Sequence, residues 1–333
     1  MTFGRAAGRS SMSTRGRLLF AAVSVLWGIP YALIKVAVDD GVSPALLAES
    51  RVVIGAAVLL SLAWRSGVLR GVRGRLGWLT VYSVLEIAVP FPLLAIGERH
   101  VSSSLAAILI ATAPLFVALL ALRFDASERL SGRRLAGLLV GLAGVVALVG
   151  IDVGGQSQLL LGTAAVLVVA LGYAAAPMIL KRKLGDLDPR ASMGASLAIA
   201  GVLLGPALAV DRPAAVPSGG AVAALVGLGI LCTAAALSLY GALVTEVGAG
   251  RALVVTYLNP VVAIALGVTA LGEQPGPGAL AGLILILGGA WLATGGVGEQ
   301  AGERPRHARE VERLDERAGV SALASAVCPE EPS

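Results

Sequence analysis

Apolar runs long enough to cross a bilayer, repeated with only short gaps from Leu18 to Val297, leave this chain few folds to choose from. The runs over 101–122, 153–180, 191–210, 213–245, 252–272 and 274–298 hold no charged residue. A bilayer core of roughly 30 Å takes about 20 apolar residues as a helix, and in hydrocarbon only helices or closed barrels satisfy the backbone. These runs are continuous rather than alternating, so they read as helices. With 56% hydrophobic residues, 14% charged residues and a mean hydropathy of +0.85, the composition lies far from that of a soluble globular domain.

The spacing predicts an all-α polytopic membrane protein with ten transmembrane helices, over 18–38, 43–64, 76–97, 102–122, 135–151, 159–180, 191–210, 221–243, 251–271 and 278–297. If residues 1–17 are cytoplasmic, 22 of the 26 Lys and Arg fall on the cytoplasmic side and only Arg99 and Arg212 on the other, while Lys35 and Arg51 lie inside spans. That bias is the positive-inside signal, and one helix more or fewer would scramble it. The net charge of +5 is thus topogenic, with no nucleic-acid partner implied. Four arginines before an apolar start resemble a signal peptide, but the apolar segment runs on without a small-residue cleavage site, which predicts an uncleaved first span. Residues 299–333 read as a charged cytoplasmic tail, so both termini are expected inside.

The chain is also written twice. Leu135, Ala136, Gly137, Leu138, Leu142 and Gly144 recur 145 residues later as Leu280, Ala281, Gly282, Leu283, Leu287 and Gly289. Glu128 maps to Glu273 and Pro44 to Pro189 at the same offset, while Pro114 maps to Pro260 with one residue of slippage. The predicted units are 18–151 and 152–298, each of five helices. An odd count turns the second copy upside down, and such inverted repeats suit a central site opened to each side in turn.

Four ionisable residues fall inside the first spans, where each costs several kcal/mol unless paired or hydrated. Lys35 either snorkels to the outer interface or senses an anion. Arg51 either bridges helices by pairing with Glu86 or Glu49, or clamps a substrate. Glu86, close to the midplane, is the candidate for a protonatable coupling group, with the proton as coupling ion, or else the permanent partner of a base. Pro114 and Pro260 sit mid-span at matching points, where each removes a backbone hydrogen bond, and interrupted helices in corresponding positions point to a transport site. Thr112 beside the first break, and Tyr257 and Asn259 beside the second, are candidate hydrogen-bonding groups for a solute. Pro30, Pro90, Pro92 and Pro177 predict further bends. Small residues four apart, Gly137 with Gly141, Gly201 with Gly205 and Gly278 with Gly282, predict close helix packing within the monomer or at a homodimer contact.

Other chemistries find no support. The sequence carries no Walker phosphate loop, and two histidines (His100, His307) with two distant cysteines (Cys232, Cys328) make neither a metal or haem site nor a disulfide framework. No catalytic residue and no cofactor are predicted. Two other classes compete with a transporter. An intramembrane enzyme acting on a lipid or isoprenoid substrate would need a reactive cluster open to lipid, and a sensor or assembly subunit would depend on its tail.

Trp27-Gly28 followed by Tyr31 and Lys35, then Pro44 and Arg51, the run Ser103-Leu105-Ala106-Ala107 to Pro114-Leu115, Glu128 before Gly137 and Gly144, and Asn259-Pro260, Glu273, Gly282 and Gly289 together resemble EamA-type carriers of the drug/metabolite transporter superfamily. The resemblance spans 18–297. It implies ten helices as two inverted repeats, with helices 1–4 and 6–9 around a central cavity and helices 5 and 10 set back. It implies ATP-independent transport of small metabolites, often export of amino acids or related compounds. Separately, arginine greatly outnumbers lysine and alanine is abundant, a composition consistent with a GC-rich bacterial genome and an inner membrane. The small four-helix members of the superfamily carry a membrane glutamate in their first helix; here that helix has Lys35, which puts their proton mechanism in doubt for this chain. The expectation is an exporter of a small polar metabolite, with Tyr31, Lys35, Arg51, Glu86, Thr112, Tyr257 and Asn259 meeting the solute and Pro114 and Pro260 in the cavity wall.

Overall fold

The computed structural model describes residues 12–124, 132–148, 156–211, 216–247 and 252–293; the expected tail, Glu128 and most of the expected N-terminal segment lie outside these residues. Eight helical segments among the described residues are long and apolar enough to cross a membrane. They are α1 (Thr14–Asp39), α2 (Pro44–Arg65), α3 (Arg73–Glu98), α4 (Ser103–Leu120), α6 (Ser157–Lys183), α7 (Pro189–Val210), α8 (Gly219–Val247) and α9 (Val254–Leu271). Two shorter apolar helices, α5 (Gly132–Leu148) and α10 (Pro277–Ala293), complete the two sets. Exposed Val202, Ile284, Val146 and Leu139 give the outer surface an apolar coat suited to lipid.

The helices start where local chemistry dictates. Ser43 precedes α2 and its side chain accepts from Leu46 N, with Pro44 in the first turn; Asp188 precedes α7 and accepts from Arg190 N, with Pro189 in the same place. Proline fits the first turn because its missing N–H would be unpaired there anyway. The matched prolines 44 and 189 are therefore start signals in both repeats. Ser102 and Ser218 cap α4 and α8 in the same way.

Packing repeats under exchange of the two halves. α1 packs on α8 and α9, and α6 packs on α3 and α4, while the pairs α2 with α7 and α5 with α10 are their own counterparts. The α5–α10 contact explains the glycines. A Cβ on Gly289 would run into the backbone of Gly137 and Gly141, and one on Gly137 into that of Gly289 and Ala293, so only hydrogen lets these helices touch. Of the two readings of this stripe, packing inside the monomer is the one the structure uses.

Two irregularities obey the same exchange. α3 widens into a π-helical turn over Val84–Ala88, and α8 does so over Ile230–Ala235, an offset of 146 residues between their first residues. In α3 the cause is local: Pro90 cannot donate to the Glu86 carbonyl and would clash with it in a regular helix, and Val89 N instead reaches Val84 O at 3.2 Å. α4 breaks after Ile110 and resumes at Ala113, and α9 passes from a 3-10 turn over Leu253–Tyr257 into an α-helix at Asn259. Both interruptions immediately precede Pro114 and Pro260.

The bundle has two chemically distinct ends. One gathers Arg65, Arg70, Arg73, Arg75, Lys181, Arg182, Lys183 and Arg190; the other gathers Asp39, Asp40, Glu98, Asp211 and Glu273. We refer to these as the basic and acidic ends.

Candidate functional site

Arg51 on α2 lies at the meeting of the two halves, and its position follows from small neighbours. It is 7% exposed. Its Nε donates to Thr233 Oγ1 at 2.9 Å, and Thr233 Oγ1 donates in turn to Leu228 O at 2.8 Å across the widened turn of α8. Gly55, one turn along α2, makes room for this approach, since a Cβ there would come within 2.9 Å of Thr233 Cγ2. The guanidinium carbon sits 3.8 Å from the centroid of the Phe91 ring, a cation–π geometry. Among the described residues Arg51 forms no ion pair, so the expected bridge to Glu86 or Glu49 is absent.

Around it stand Tyr31 of α1, Tyr173 of α6 and Cys232 of α8, all within range of its charge. Glu86, in the widened turn of α3, feels the same charge, and its Oε2 is buried without a hydrogen-bond partner. The offset of 146 that relates the two widened turns sets Glu86 opposite Cys232. Both halves thus contribute an irregular turn to one place. Along the face of α2 that carries Arg51 and Gly55, Leu59 and Leu62 line a cleft of about 420 Å³ together with Met193 of α7 and Ser238 of α8. The cleft reaches Asp188 and Arg190 at the basic end.

The remaining expected residues divide. Lys35 Nζ donates to Asp39 Oδ1 at 2.8 Å and to the Glu98 carbonyl at 3.2 Å, so it is tied to the acidic end rather than to Arg51's surroundings. Thr112 is buried and spends its hydroxyl proton on Leu109 O at 2.6 Å, which closes the break in its own helix. Tyr257 packs against a cluster of Leu115, Ala290 and Ala293. Asn259 approaches α1, where its carbonyl oxygen lies close to Gly28, and its Oδ1 is buried without a partner. Tyr31, Arg51 and Glu86 are therefore brought together, and Lys35, Thr112, Tyr257 and Asn259 are placed elsewhere. Phe91, Tyr173, Cys232 and Thr233 are neighbours that sequence reasoning missed; the signal that could have found Cys232 and Thr233 is the repeat offset carried from Glu86.

Both ends are bridged between the halves. At the acidic end Asp211 accepts from Ala45 N and from its carbonyl oxygen binds Ser43 Oγ, and Asp40 accepts from Ser218 N. Glu273 accepts from Ser103 N at 2.7 Å, Ser104 N at 3.0 Å and Ser104 Oγ at 2.5 Å, seated on the N-terminus of α4. Burial pushes the Glu273 carboxyl up, but these hydrogen bonds from Ser104 and Ser103 outweigh it and hold it below the ordinary glutamate value. At the basic end Ser13 donates to Glu246, Arg75 pairs with Asp186 at 2.8 Å, and Arg190 donates to Ser66. Asp188 is held below its usual range, first by the hydrogen bond from the Arg190 side chain.

A family model described as the EamA-like transporter family matches residues 14–150 and again residues 160–295. The chain is 31% identical over 270 residues to the "Probable terminal-alkyne amino-acid exporter" of Streptantibioticus cattleyicolor, covering 80% of this chain and 89% of that protein. It is 25% identical over 292 residues to the "Probable amino-acid metabolite efflux pump" of Salmonella typhimurium, covering 84% and 95%. With the "Uncharacterized inner membrane transporter YedA" of Escherichia coli K12 it shares 29% identity over 260 residues, 76% of this chain and 81% of that one. A solved structure described as "Crystal structure of protein" shares the fold at a TM-score of 0.60 and 23% identity, over 84% of this chain and 96% of that chain.

Proposed function

This chain belongs to the EamA-like transporter family and is an integral membrane transporter rather than an enzyme, and on that premise we propose that it exports a small amino-acid-like metabolite by alternating access, without ATP. The observation that carries the reading is Arg51. A buried guanidinium whose direct partners are a neutral hydroxyl and an aromatic face has no ion-pair partner among the described residues, which costs several kcal/mol and is offset when a solute carboxylate arrives. Glu86, with a buried oxygen that lacks a partner, is the complementary group for a solute ammonium. Phe91, Tyr31 and Tyr173 then face the solute's apolar part. Two relatives named as amino-acid or amino-acid metabolite exporters support this solute class.

In this reading the chain crosses the membrane ten times as two inverted repeats, 18–151 and 152–298. α5 and α10 cross at the periphery; 17 residues each give about 26 Å of helix at 1.5 Å per residue. The basic end is cytoplasmic by the positive-inside rule, with both termini and the tail of 299–333 on that side of a bacterial inner membrane. Trp64, Trp78 and Trp291, all exposed, mark the same end, as interfacial tryptophans do. The cleft between α2, α7 and α8 is then the inward vestibule. A homodimer would need a surface other than the glycine faces of α5 and α10, which are consumed within the chain.

The test is counterflow into proteoliposomes preloaded with unlabelled amino acid, across a panel of zwitterionic, anionic and cationic amino acids with nucleobases as controls. Accumulation of a zwitterionic or anionic member that disappears in Arg51→Gln supports the proposal. Transport confined to nucleobases, or equal transport in the variant, overturns it.

A further inference from the structure

Glu98, the last residue of α3, lies within charge range of Arg51 and Tyr31 but makes no hydrogen bond to either, and it is the most completely enclosed carboxyl among the described residues. Its relative exposure is 0%, and neither Oε1 nor Oε2 accepts a hydrogen bond. The charged groups around it come from every side. Lys35 and Asp39 face it from α1, Arg51 from α2, and Glu273 from the connection between α9 and α10; the adjoining part of α6, around Gly162, Thr163 and Val166, brings no charge. Lys35 is the near cation, but its Nζ is spent on Asp39 Oδ1 and on the backbone carbonyl of Glu98 itself. The carboxyl is thus beside a lysine that does not bind it and beside a second carboxylate that is fixed on α4.

An ionised carboxylate in that position would forgo both water and hydrogen bonds, a cost far above that of the neutral acid. The neutral acid has no such penalty. We propose that Glu98 is a proton-binding site of this transporter, filled while the acidic end is closed and emptied to the water on that side when the end opens. On opening, the bridges from Glu273, Asp211 and Asp40 part, water reaches Glu98, and its proton passes to that water. Lys35 then exchanges Asp39 for the Glu98 carboxylate, and a proton must return before the end can close again. The opening step rests on the alternating-access reading above; the protonated carboxyl does not.

The experiment is an infrared pH titration of the full chain in lipid bilayers without solute, reading the carbonyl band of neutral carboxylic acids. At neutral pH the wild-type chain gives such a band, Glu98→Gln removes one carboxyl's share of it, and Glu86→Gln leaves that share in place. Lys35→Met, which keeps Glu98 itself, moves the loss of the band to higher pH by about one unit or more, because an adjacent cation favours the charged form. The proposal is overturned if Glu98→Gln loses no neutral-carboxyl intensity at neutral pH, or if the midpoint in Lys35→Met stays where it was. A normal Glu98 band in a chain that fails the counterflow panel would count against the solute reading alone.

Discussion

Arg51 shows how a single charge can be both costly and fixed. Its Nε–Thr233 bond crosses between the halves, and a hydrogen bond to a charged group contributes roughly 1.5–3 kcal/mol. Thr233→Val keeps the shape and removes the acceptor, so transport is expected to fall by roughly 10- to 100-fold, measured as counterflow rate at matched protein level. Arg51→Lys is expected to be nearly as damaging as Arg51→Gln, because an ammonium has neither the planar face that lies on Phe91 nor the directed Nε; wild-type counterflow in Arg51→Lys would contradict the geometry. At this scale the sequence was partly legible. A charge inside an apolar run advertises itself, as Arg51 and Glu86 did. Glu98 did not, because it falls one residue beyond the predicted span of 76–97. Thr112 and Asn259 stand out as polar residues beside prolines, and the backbone's own need for partners at a broken helix explains Thr112.

Elements repeat the lesson with a different balance. The helix starts, the interruptions before Pro114 and Pro260 and the glycine stripe of α5 and α10 could all be read from residue type, since each depends on what one residue lacks: an N–H or a Cβ. The widened turns over Val84–Ala88 and Ile230–Ala235 could not, because only the first has a proline to cause it. In the second, the Thr233 hydroxyl donates to Leu228 O, five residues back, and no residue type marks the turn in advance. Gly289→Ala puts a methyl group against the backbone of Gly137 and Gly141, which cannot rotate away; overpacking of this kind costs about 1–3 kcal/mol, seen as a lower Tm and yield of the detergent-solubilised protein. Glu273 supplies the pH dependence. Its carboxyl is held below the ordinary value in the folded chain, so its contribution is fully present above the unfolded value and is lost as pH falls through the folded one. Glu273→Gln is expected to flatten the acid limb of the stability profile, measured as Tm against pH.

For the whole molecule, the bridges at the two ends are unequal in kind. At the basic end the Arg75–Asp186 and Arg15–Glu246 pairs are largely exposed, and such pairs contribute about 0–1 kcal/mol. At the acidic end Glu273 makes three hydrogen bonds to the start of α4, where backbone N–H groups and the helix dipole both favour an anion. The acidic end is therefore the firmer closure, and weakening it should change which side reaches the interior. Cys232 reports this, since it is 1% exposed beside Arg51 and the other cysteine, Cys328, can be replaced by serine. In intact cells an impermeant maleimide is expected to label Val216→Cys at the acidic end and to spare Arg70→Cys at the basic end, which fixes the sidedness. In that frame Glu273→Gln is expected to raise external labelling of Cys232 several-fold, as the loss of roughly 1 kcal/mol would, whereas Asp186→Asn leaves it unchanged. Labelling of Arg70→Cys in place of Val216→Cys would invert the topology. Equal labelling of Cys232 in Glu273→Gln and the wild-type chain would mean that the acidic-end clasp does not hold the interior shut.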